Sequence, residues 1–326
     1  MLKNNLTIGV TGAAGFIGCH LCEKLIRLGF KVIGIDNLSK GSKKNINDLL
    51  KNDKFSFNKV DVLDYNKIQK ILSPAHVIVH LAAGKIPRYG NRLEILLTNT
   101  KGTENILEIA KKTRAKVVFA STSDVYGKNT ILPFREDSDL VIGSSEVARW
   151  AYAVSKIFDE HLCFAYYEEY QVPFVILRLF GVFGPRQHRS WWGGPQSLFI
   201  DLILQKKEVE MHGDGKQTRT FTFIDDAVSA IIKSIKSQKA NGQVINIGTK
   251  FEISILQFAK LIAKMLNKKL KVKKVPYNSF TGKRYEDVIK RVPDITKAKR
   301  ILNWSPKTTL QSGLEQTIQW YINNPI

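Results

Sequence analysis

Cysteine is scarce in this chain, three among 326 residues, which argues against a disulfide framework and suits a reducing compartment. A cytoplasmic protein is expected. Cys19 and Cys22 form a CxxC spacing, but no second ligand pair follows nearby, so both thiols read as packing residues of a first helix and no metal site is expected. Long apolar runs are missing too. No stretch approaches the ~18 residues that a spanning helix needs, so no membrane partner is expected. Lys3 and the apolar residues after it faintly echo a signal peptide, yet the glycines that follow suit a strand and a turn better. Acidic residues are also few: 29 Asp and Glu face 50 Lys and Arg, a formal charge of +21.

An excess of that size favours an anionic partner. The basic residues are scattered, however, and the densest run, Asn267 to Lys274 (NKKLKVKK), reads as a solvated helix end and a strand edge. No helix-turn-helix, zinc-finger or RNA-binding motif accompanies the charge. A phosphorylated small molecule meets it equally well, and nucleic acid is not expected.

What is present is enough to bury a large core: 44% of residues are hydrophobic and 24% charged, which excludes disorder and coiled coil. The length predicts about two lobes. In the first half short β-rich runs alternate with helical segments, the pattern of a parallel sheet covered on both faces. Strands are predicted at Leu6 to Thr11, Lys31 to Asp36, Phe55 to Asp61, His76 to Leu81, Lys116 to Ser121 and Phe174 to Phe180. Helices are predicted at Gly15 to Leu28, ended by Gly29, and near Leu93 to Thr113 and Ala151 to Tyr170. After Phe180 the alternation gives way to GVFGPRQHRSWWGGPQ, a Gly/Pro/Trp-rich binding loop. Beyond it helices are predicted at Ser197 to Gln205, Ile224 to Ser237, Ile255 to Leu266 and Leu310 to Asn323, with a strand at Gln243 to Ile247.

The segment TGAAGFIG sets Gly12, Gly15 and Gly18 between the first strand and the first helix. Glycines there permit a tight turn and close backbone approach, while the helix N-terminus offers free N–H groups to a pyrophosphate. Asp36 ends the second strand, where its carboxylate would accept the adenosine ribose hydroxyls and repel a 2′-phosphate. NAD is therefore favoured over NADP, although Lys40, Lys43 and Lys44 lie nearby. Asp61 and Val62 end the third strand, positioned for the adenine, unless Asp61 caps a helix. Leu81, Ala82 and Ala83 end the fourth, with small side chains that let a cofactor approach.

Tyr152 and Lys156, in YAVSK, stand at i and i+4 and so share a helix face. A tyrosine acting as base at neutral pH needs its ordinary pKa of about 10 lowered, which a neighbouring ammonium and a cationic nicotinamide ring can do. Tyr152 could then take a hydroxyl proton as hydride leaves the carbon. The segment STSDVYG, Ser121 to Gly127, brings hydroxyls to the same sheet edge, and Thr122 could share the reacting proton.

With these residues in place the sequence resembles the extended short-chain dehydrogenase/reductases that act on nucleotide sugars. The resemblance runs through TGAAGFIG, IDNLSKGSKKNI, HLAAG, NTKGTENILEIA, STSDVYG, YAVSK, RLFGVFGPRQ, GDGKQTRTFTFIDD, VINIGT and RVPDITKAKRILNWSPKTTLQSGL. It implies an α/β fold: a Rossmann-type doubly wound parallel sheet over residues 1–180, with later contributions near 220–248, and a smaller nucleotide-sugar-binding lobe over 181–326. It implies Thr122, Tyr152 and Lys156 as catalysts, with Ser123 and Asp124 beside them. To the cofactor it assigns Phe16 and Ile17 in the glycine turn, Asn37, Ser39 and Gly41 after the second strand, and Asn99, Ser121 and Phe180. To the substrate it assigns Lys85, Gly181, Gln196 and two diphosphate-gripping arginines, Arg219 and Arg284, whose guanidinium groups suit phosphate oxygens. It also implies a homodimer packed through the helix carrying Tyr152 and the helix near Leu93 to Thr113.

Family members share oxidation of the sugar C4 by NAD and diverge afterwards. A 4-epimerase needs little beyond Thr122, Tyr152 and Lys156, and 4-epimerisation of the UDP-glucose or UDP-N-acetylglucosamine type is the first expectation. A 4,6-dehydratase carries an Asp-Glu pair where this chain has Ser123-Asp124, so the acid for the C6 hydroxyl is missing; a 4-dehydrogenase that releases the 4-keto product is a further alternative. UDP-glucuronate decarboxylases carry Ser-Glu there and an arginine before a proline-containing segment, a set that Ser123, Asp124 and Arg291 resemble. Asp in place of Glu shortens the reach by one methylene, so decarboxylation ranks second. Gly181 replaces an asparagine common in relatives, and Trp191 and Trp192 either stack on substrate or pack a loop or dimer edge.

Overall fold

Parallel strands buried on both faces need nearly continuous apolar sequence, and VIVH at 77–80 and FVILRL at 174–179 provide it. The structure, a computed structural model, describes residues 6–85, 91–276 and 286–325. In chain order the first part runs β1 (Thr7–Thr11), α1 (Phe16–Arg27), β2 (Lys31–Asp36), β3 (Phe55–Lys59), α2 (Tyr65–Leu72), β4 (Val77–His80), α3 (Arg92–Thr113), β5 (Lys116–Thr122), α4 (Arg149–Tyr170) and β6 (Phe174–Leu179). There follow β7 (Val182–Phe183), α5 (Pro195–Leu204), β8 (Val209–His212), β9 (Thr218–Thr220), β10 (Thr222–Phe223), α6 (Ile224–Lys236), β11 (Gln243–Ile247), β12 (Glu252–Ser254), α7 (Ile255–Met265), β13 (Val272–Val275), α8 (Thr296–Leu302) and α9 (Leu310–Asn323).

Among the described residues the main sheet has seven parallel strands in the order β3-β2-β1-β4-β5-β6-β11. One apolar layer joins α1 and α6 with the elements after β6, and the other packs α2, α3 and α4 on the opposite face. This is the doubly wound Rossmann architecture that the alternation predicts. The strand order reverses between β1 and β4, and the crevice above their carboxyl ends is where such sheets take ligands. Cys19 and Cys22 lie on the buried face of α1, where burial pushes the Cys22 thiol well up, so the CxxC packs the core. No helix among the described residues is long and apolar enough to cross a membrane.

The departures from expectation are local. β3 ends at Lys59, so Asp61 lies beyond the strand, and it is Asp64 that caps α2, accepting from the Lys67 N–H at 3.2 Å. α2 went unpredicted because only Ile68 and Leu72 of it are buried, too short a periodic signal. β7 with β10, β9 with β12 and β8 with β13 form two-stranded pieces of two to four residues a strand. Alternation cannot be read over such lengths.

The C-terminal segment is tied to α6 through Asp226. Its buried carboxylate accepts the backbone N–H of Lys307 at 3.0 Å and of Thr308 at 2.9 Å, and its carbonyl accepts Trp304 Nε1 at 3.0 Å. Replacing Asp226 by Ala should cost about 2 kcal/mol and lower Tm by several degrees in calorimetry. An unchanged Tm would mean that the segment docks on its apolar contacts alone.

Candidate active site

A cavity of about 1760 Å³ opens along the carboxyl edge of the sheet, from the β1–α1 turn to the segment around Arg291. At its floor Gly12 sits at φ +70° and its carbonyl accepts the Gly15 N–H at 3.0 Å. A Cβ on Gly12 would come within 2.9 Å of the Ala82 nitrogen, and one on Gly18 would run into the Gly12 carbonyl. The turn therefore exists only with glycine, and Gly15 caps α1 without a side chain, leaving its first N–H groups turned to the cavity.

Asp36 lies over this turn. Its Oδ2 accepts the Ala14 N–H at 3.0 Å and its Oδ1 the Leu38 N–H at 2.7 Å. Burial pushes its carboxyl up while these backbone donors oppose that. Gly41 allows the loop to close on the carboxylate, since a Cβ there would lie 2.8 Å from Oδ2. Asn37 donates to Asp61 Oδ2 at 2.6 Å, and Asp61 Oδ1 accepts the Leu63 N–H at 2.9 Å. Phe16, Ile17, Ser39, Val62, Leu81, Ala82, Ala83, Ser121 and Phe180 complete this half of the wall. A glycine cradle, a helix N-terminus and a carboxylate at the ribose position fit a dinucleotide lacking a 2′-phosphate.

Asn99 departs from expectation. It is fully buried behind the wall: its amide donates to Gly84 O at 3.0 Å and Ser155 Oγ at 2.9 Å and accepts the Gly84 N–H at 2.8 Å. All of its capacity goes into tying the loop after β4 to α4, so it shapes the wall from outside. Ser121 likewise gives its hydroxyl to Glu160 Oε1 at 2.5 Å.

At the middle of the cavity β5 delivers Thr122 and α4 delivers Tyr152 and Lys156. Burial pushes the Tyr152 phenol up, Asp124 adds to this, and a hydrogen bond with Thr122 opposes it. The Lys156 ammonium lies 3.9 Å from Asp159 and 4.3 Å over the Phe119 ring, drawn toward the interior.

Beyond Tyr152 is a cluster that the sequence only partly revealed. Arg291 Nη2 meets Asp124 Oδ1 at 2.7 Å, and its Nη1 donates to Ser123 Oγ at 3.5 Å. Arg149 reaches Asp124 at 3.2 Å and Asp287 at 3.1 Å, and Arg219 reaches Asp287 at 2.9 Å. Among the described residues three guanidinium groups thus face two carboxylates. Arg149 was legible in principle, being three residues before Tyr152 and so on its face of α4. Asp287 had no such signal, because its partners are far away in the chain. Arg284 lies outside the described residues.

The remaining candidates line the same cavity: Lys85 after β4, Gly181 at φ +47°, and Gln196 at the start of α5, whose buried Oε1 has no hydrogen-bond partner. The two tryptophans separate. Trp191 stacks on His212 with ring centroids 4.8 Å apart and packs edge-on to Phe199, while Trp192 lies under Lys40 Nζ at 4.1 Å.

Burial raises the Asp124 carboxyl, but Arg291, Arg149 and Arg219 outweigh it and hold the group down to about 2. Asp287 is lowered by the same arginines. Groups depressed on folding stabilise above the unfolded aspartate pKa of about 4 and lose that contribution as pH falls toward the folded value. Tm should therefore hold steady down to about pH 4.5 and then fall, less steeply in Asp124→Asn. Superimposable acid melting of the variant and the parent would refute the cluster's contribution.

Residues 10–317 match the family model for GDP-mannose 4,6 dehydratase. The UDP-N-acetyl-alpha-D-glucosaminuronate decarboxylase of Bacillus cytotoxicus is 38% identical over 314 residues, covering 96% of each chain. Among solved structures, the UDP-glucuronic acid 4-epimerase of Bacillus cereus, in complex with UDP-glucuronic acid and NAD, shares 33% identity at a TM-score of 0.87, covering 98% of this chain and 99% of that one. The UDP-glucose 4-epimerase of Thermotoga maritima, with UDP-glucose, shares 30% at a TM-score of 0.88 with the same coverage. The chain therefore belongs to the GDP-mannose 4,6-dehydratase-like family of extended short-chain dehydrogenase/reductases, and is an enzyme of that family of nucleotide-sugar epimerases, dehydratases and decarboxylases.

Proposed function

We propose that this NAD-dependent enzyme removes the carboxyl group of a nucleotide-diphosphate hexuronate through a 4-keto intermediate. The observation that carries the reading is Arg291, held at 2.7 Å by Asp124 beside Ser123, in a cavity-lining cluster with Arg149 and Arg219. This reverses the order expected from the sequence, where C4 epimerisation came first. Asp124 is one methylene shorter than Glu, yet with Arg291 and Arg149 converging on it the carboxylate serves to aim guanidinium groups at a substrate carboxylate. The identity with the Bacillus cytotoxicus decarboxylase supports the same reading.

The cofactor would be held by the backbone of Gly12, Gly15, Phe16, Ile17 and Gly18 at its pyrophosphate. Asp36, Asn37, Ser39 and Gly41 would take the ribose, Asp61 and Val62 the adenine, and Leu81 to Ala83, Ser121 and Phe180 the nicotinamide half. When bound, NAD supplies the acceptor for the C4 hydride and returns it at the end. Tyr152 takes the proton of the C4 hydroxyl, Thr122 shares that hydrogen bond, and the Lys156 ammonium favours the phenolate. The C4 ketone so formed is β to the C6 carboxylate. Breaking the C5–C6 bond releases carbon dioxide and leaves the electron pair as an enolate, whose oxygen faces Thr122 and Tyr152 and whose C5 then gains a proton. Arg291 and Ser123 hold the departing carboxylate, while Arg219 and Arg284 grip the diphosphate, with Lys85, Gly181 and Gln196 beside the substrate.

Residues 1–180 would serve the cofactor and 181–326 the nucleotide sugar. Exposed Leu93 and Leu97 on α3 and Val154 and Phe158 on α4 form an apolar stripe at i, i+4 spacing that supports a homodimer through these helices. Buried free thiols at Cys19, Cys22 and Cys163 fit the reducing cytoplasm. A second reading, C4 epimerisation of the uronate with its carboxylate retained, is favoured by the identity with the Bacillus cereus epimerase.

Proton NMR of the enzyme with NAD, UDP-glucuronate and UDP-N-acetylglucosaminuronate decides between them. A pentose nucleotide and carbon dioxide are expected, whereas a C4 epimer that keeps its carboxylate would transfer the case to the second reading. Tyr152→Phe should lower turnover at least about a hundredfold, and near-normal activity would remove Tyr152 from the chemistry. Arg291→Gln should abolish carbon dioxide release while leaving NAD affinity, measured by fluorescence, unchanged. Undiminished release would take the substrate carboxylate away from Arg291.

A further inference from the structure

The chemistry above uses Lys156 but not the carboxylate behind it. Asp159 lies one turn further along α4, on the same face, and is fully buried. The Thr103 hydroxyl is its hydrogen-bonding neighbour, and the Lys156 ammonium stands 3.9 Å from Oδ2, beyond the usual hydrogen-bonded ion-pair distance. The groups around the pair are His80 from β4, Thr103 from α3, Phe119 from β5, and Glu160 and Cys163 from α4. Glu160 is committed to Arg178 at 2.7 Å and to Ser121. His80 is held neutral by burial and by Lys156, bonded through Nδ1 to Thr11 at 2.7 Å. Asp159 is thus the carboxylate left to balance Lys156 in a dry pocket.

We propose that Asp159 is a positioning residue that draws the Lys156 ammonium back from Tyr152 and keeps it charged, while its own buried charge sets the pH range over which Tyr152 works as base. The inference rests on Tyr152 and Lys156 acting as base and cation, whatever becomes of the 4-keto sugar. Burial lowers Lys156 and Asp159 opposes this, while for Tyr152 the Asp159 charge adds to the rise that burial and Asp124 cause and Arg291 opposes it. Burial also lifts Asp159 itself to about 6, against the pull of Lys156. Its protonation on acidification removes a negative charge that had held the Tyr152 phenol up. The acid limb of kcat/KM is then flattened, because the base weakens its own hold on the proton over the interval in which Asp159 titrates.

The test is the pH profile of kcat/KM on whichever sugar nucleotide turns over, for the wild-type enzyme, Asp159→Asn and Asp159→Glu. The wild-type acid limb should have a slope below one around pH 6. In Asp159→Asn the slope should return to one, and both limbs should move toward acid by about one pH unit, a shift set by a unit charge some 10 Å away at an effective dielectric constant near 20. Asp159→Glu should restore the wild-type position of the limbs even if its maximum is lower. A wild-type limb of unit slope through pH 6 would overturn the proposal without any variant. So would an Asp159→Asn profile reduced in height but unmoved, which is the signature of a merely structural residue. Tyr152→Phe, run alongside, separates the two readings: activity there would sink the assignment of the base, independently of Asp159.

Discussion

Everything in the site depends on how α4 is seated against the sheet. Glu160 fixes it: Arg178 on β6 meets this carboxylate through Nε at 3.0 Å and Nη2 at 2.7 Å, and Ser121 on β5 donates to it at 2.5 Å. A buried two-pronged ion pair is weak evidence for stability, since desolvation offsets most of the attraction, but it is demanding in geometry. It allows one rotation and one register of α4. From that one placement Arg149, Tyr152, Lys156 and Asp159 follow, at successive turns, as a row of charged and polar groups. Asn99 secures the other side of the helix through Ser155.

That row explains how one cavity separates two kinds of electrostatics. At the glycine turn the positive potential comes from backbone N–H groups and a helix end, with the Asp36 carboxylate beside them. At the sugar end it comes from guanidinium groups cross-braced by Asp124 and Asp287. Tyr152 stands between them, half-buried in the cavity wall, where desolvation and Asp124 both oppose its ionisation.

The net charge of +21 finds part of its explanation here. Arg149, Arg219 and Arg291 belong to the cavity, and Lys116 is buried, donating to Ser234 O and Ser237 O at 2.7 Å each near the end of α6. The run at 267–274 passes from the end of α7 into β13, with Lys269, Lys271, Lys273 and Lys274 exposed, in line with its composition. The lysines of that run are solvated surface, whereas the cavity takes its positive side chains from Arg149, Arg219 and Arg291 together with Lys85 and Lys156.

Local sequence alone determined the strands of the main sheet to within two residues, the helices that cover it apart from α2 and α8, the glycine turn and the spacing of Tyr152 and Lys156. Each of these depends on periodicity or on a backbone conformation that only glycine adopts, and both are written in neighbouring residues. Only the tertiary structure decided that Asn99 braces the wall from behind, that Asp64 and not Asp61 caps α2, and that Arg149 and Asp287 join Arg219 and Arg291. It also decided that Lys156 faces Asp159 in the interior. These are contacts between residues distant in sequence or choices between partners on one helix face, and they are resolved by which charges find one another once the core has closed.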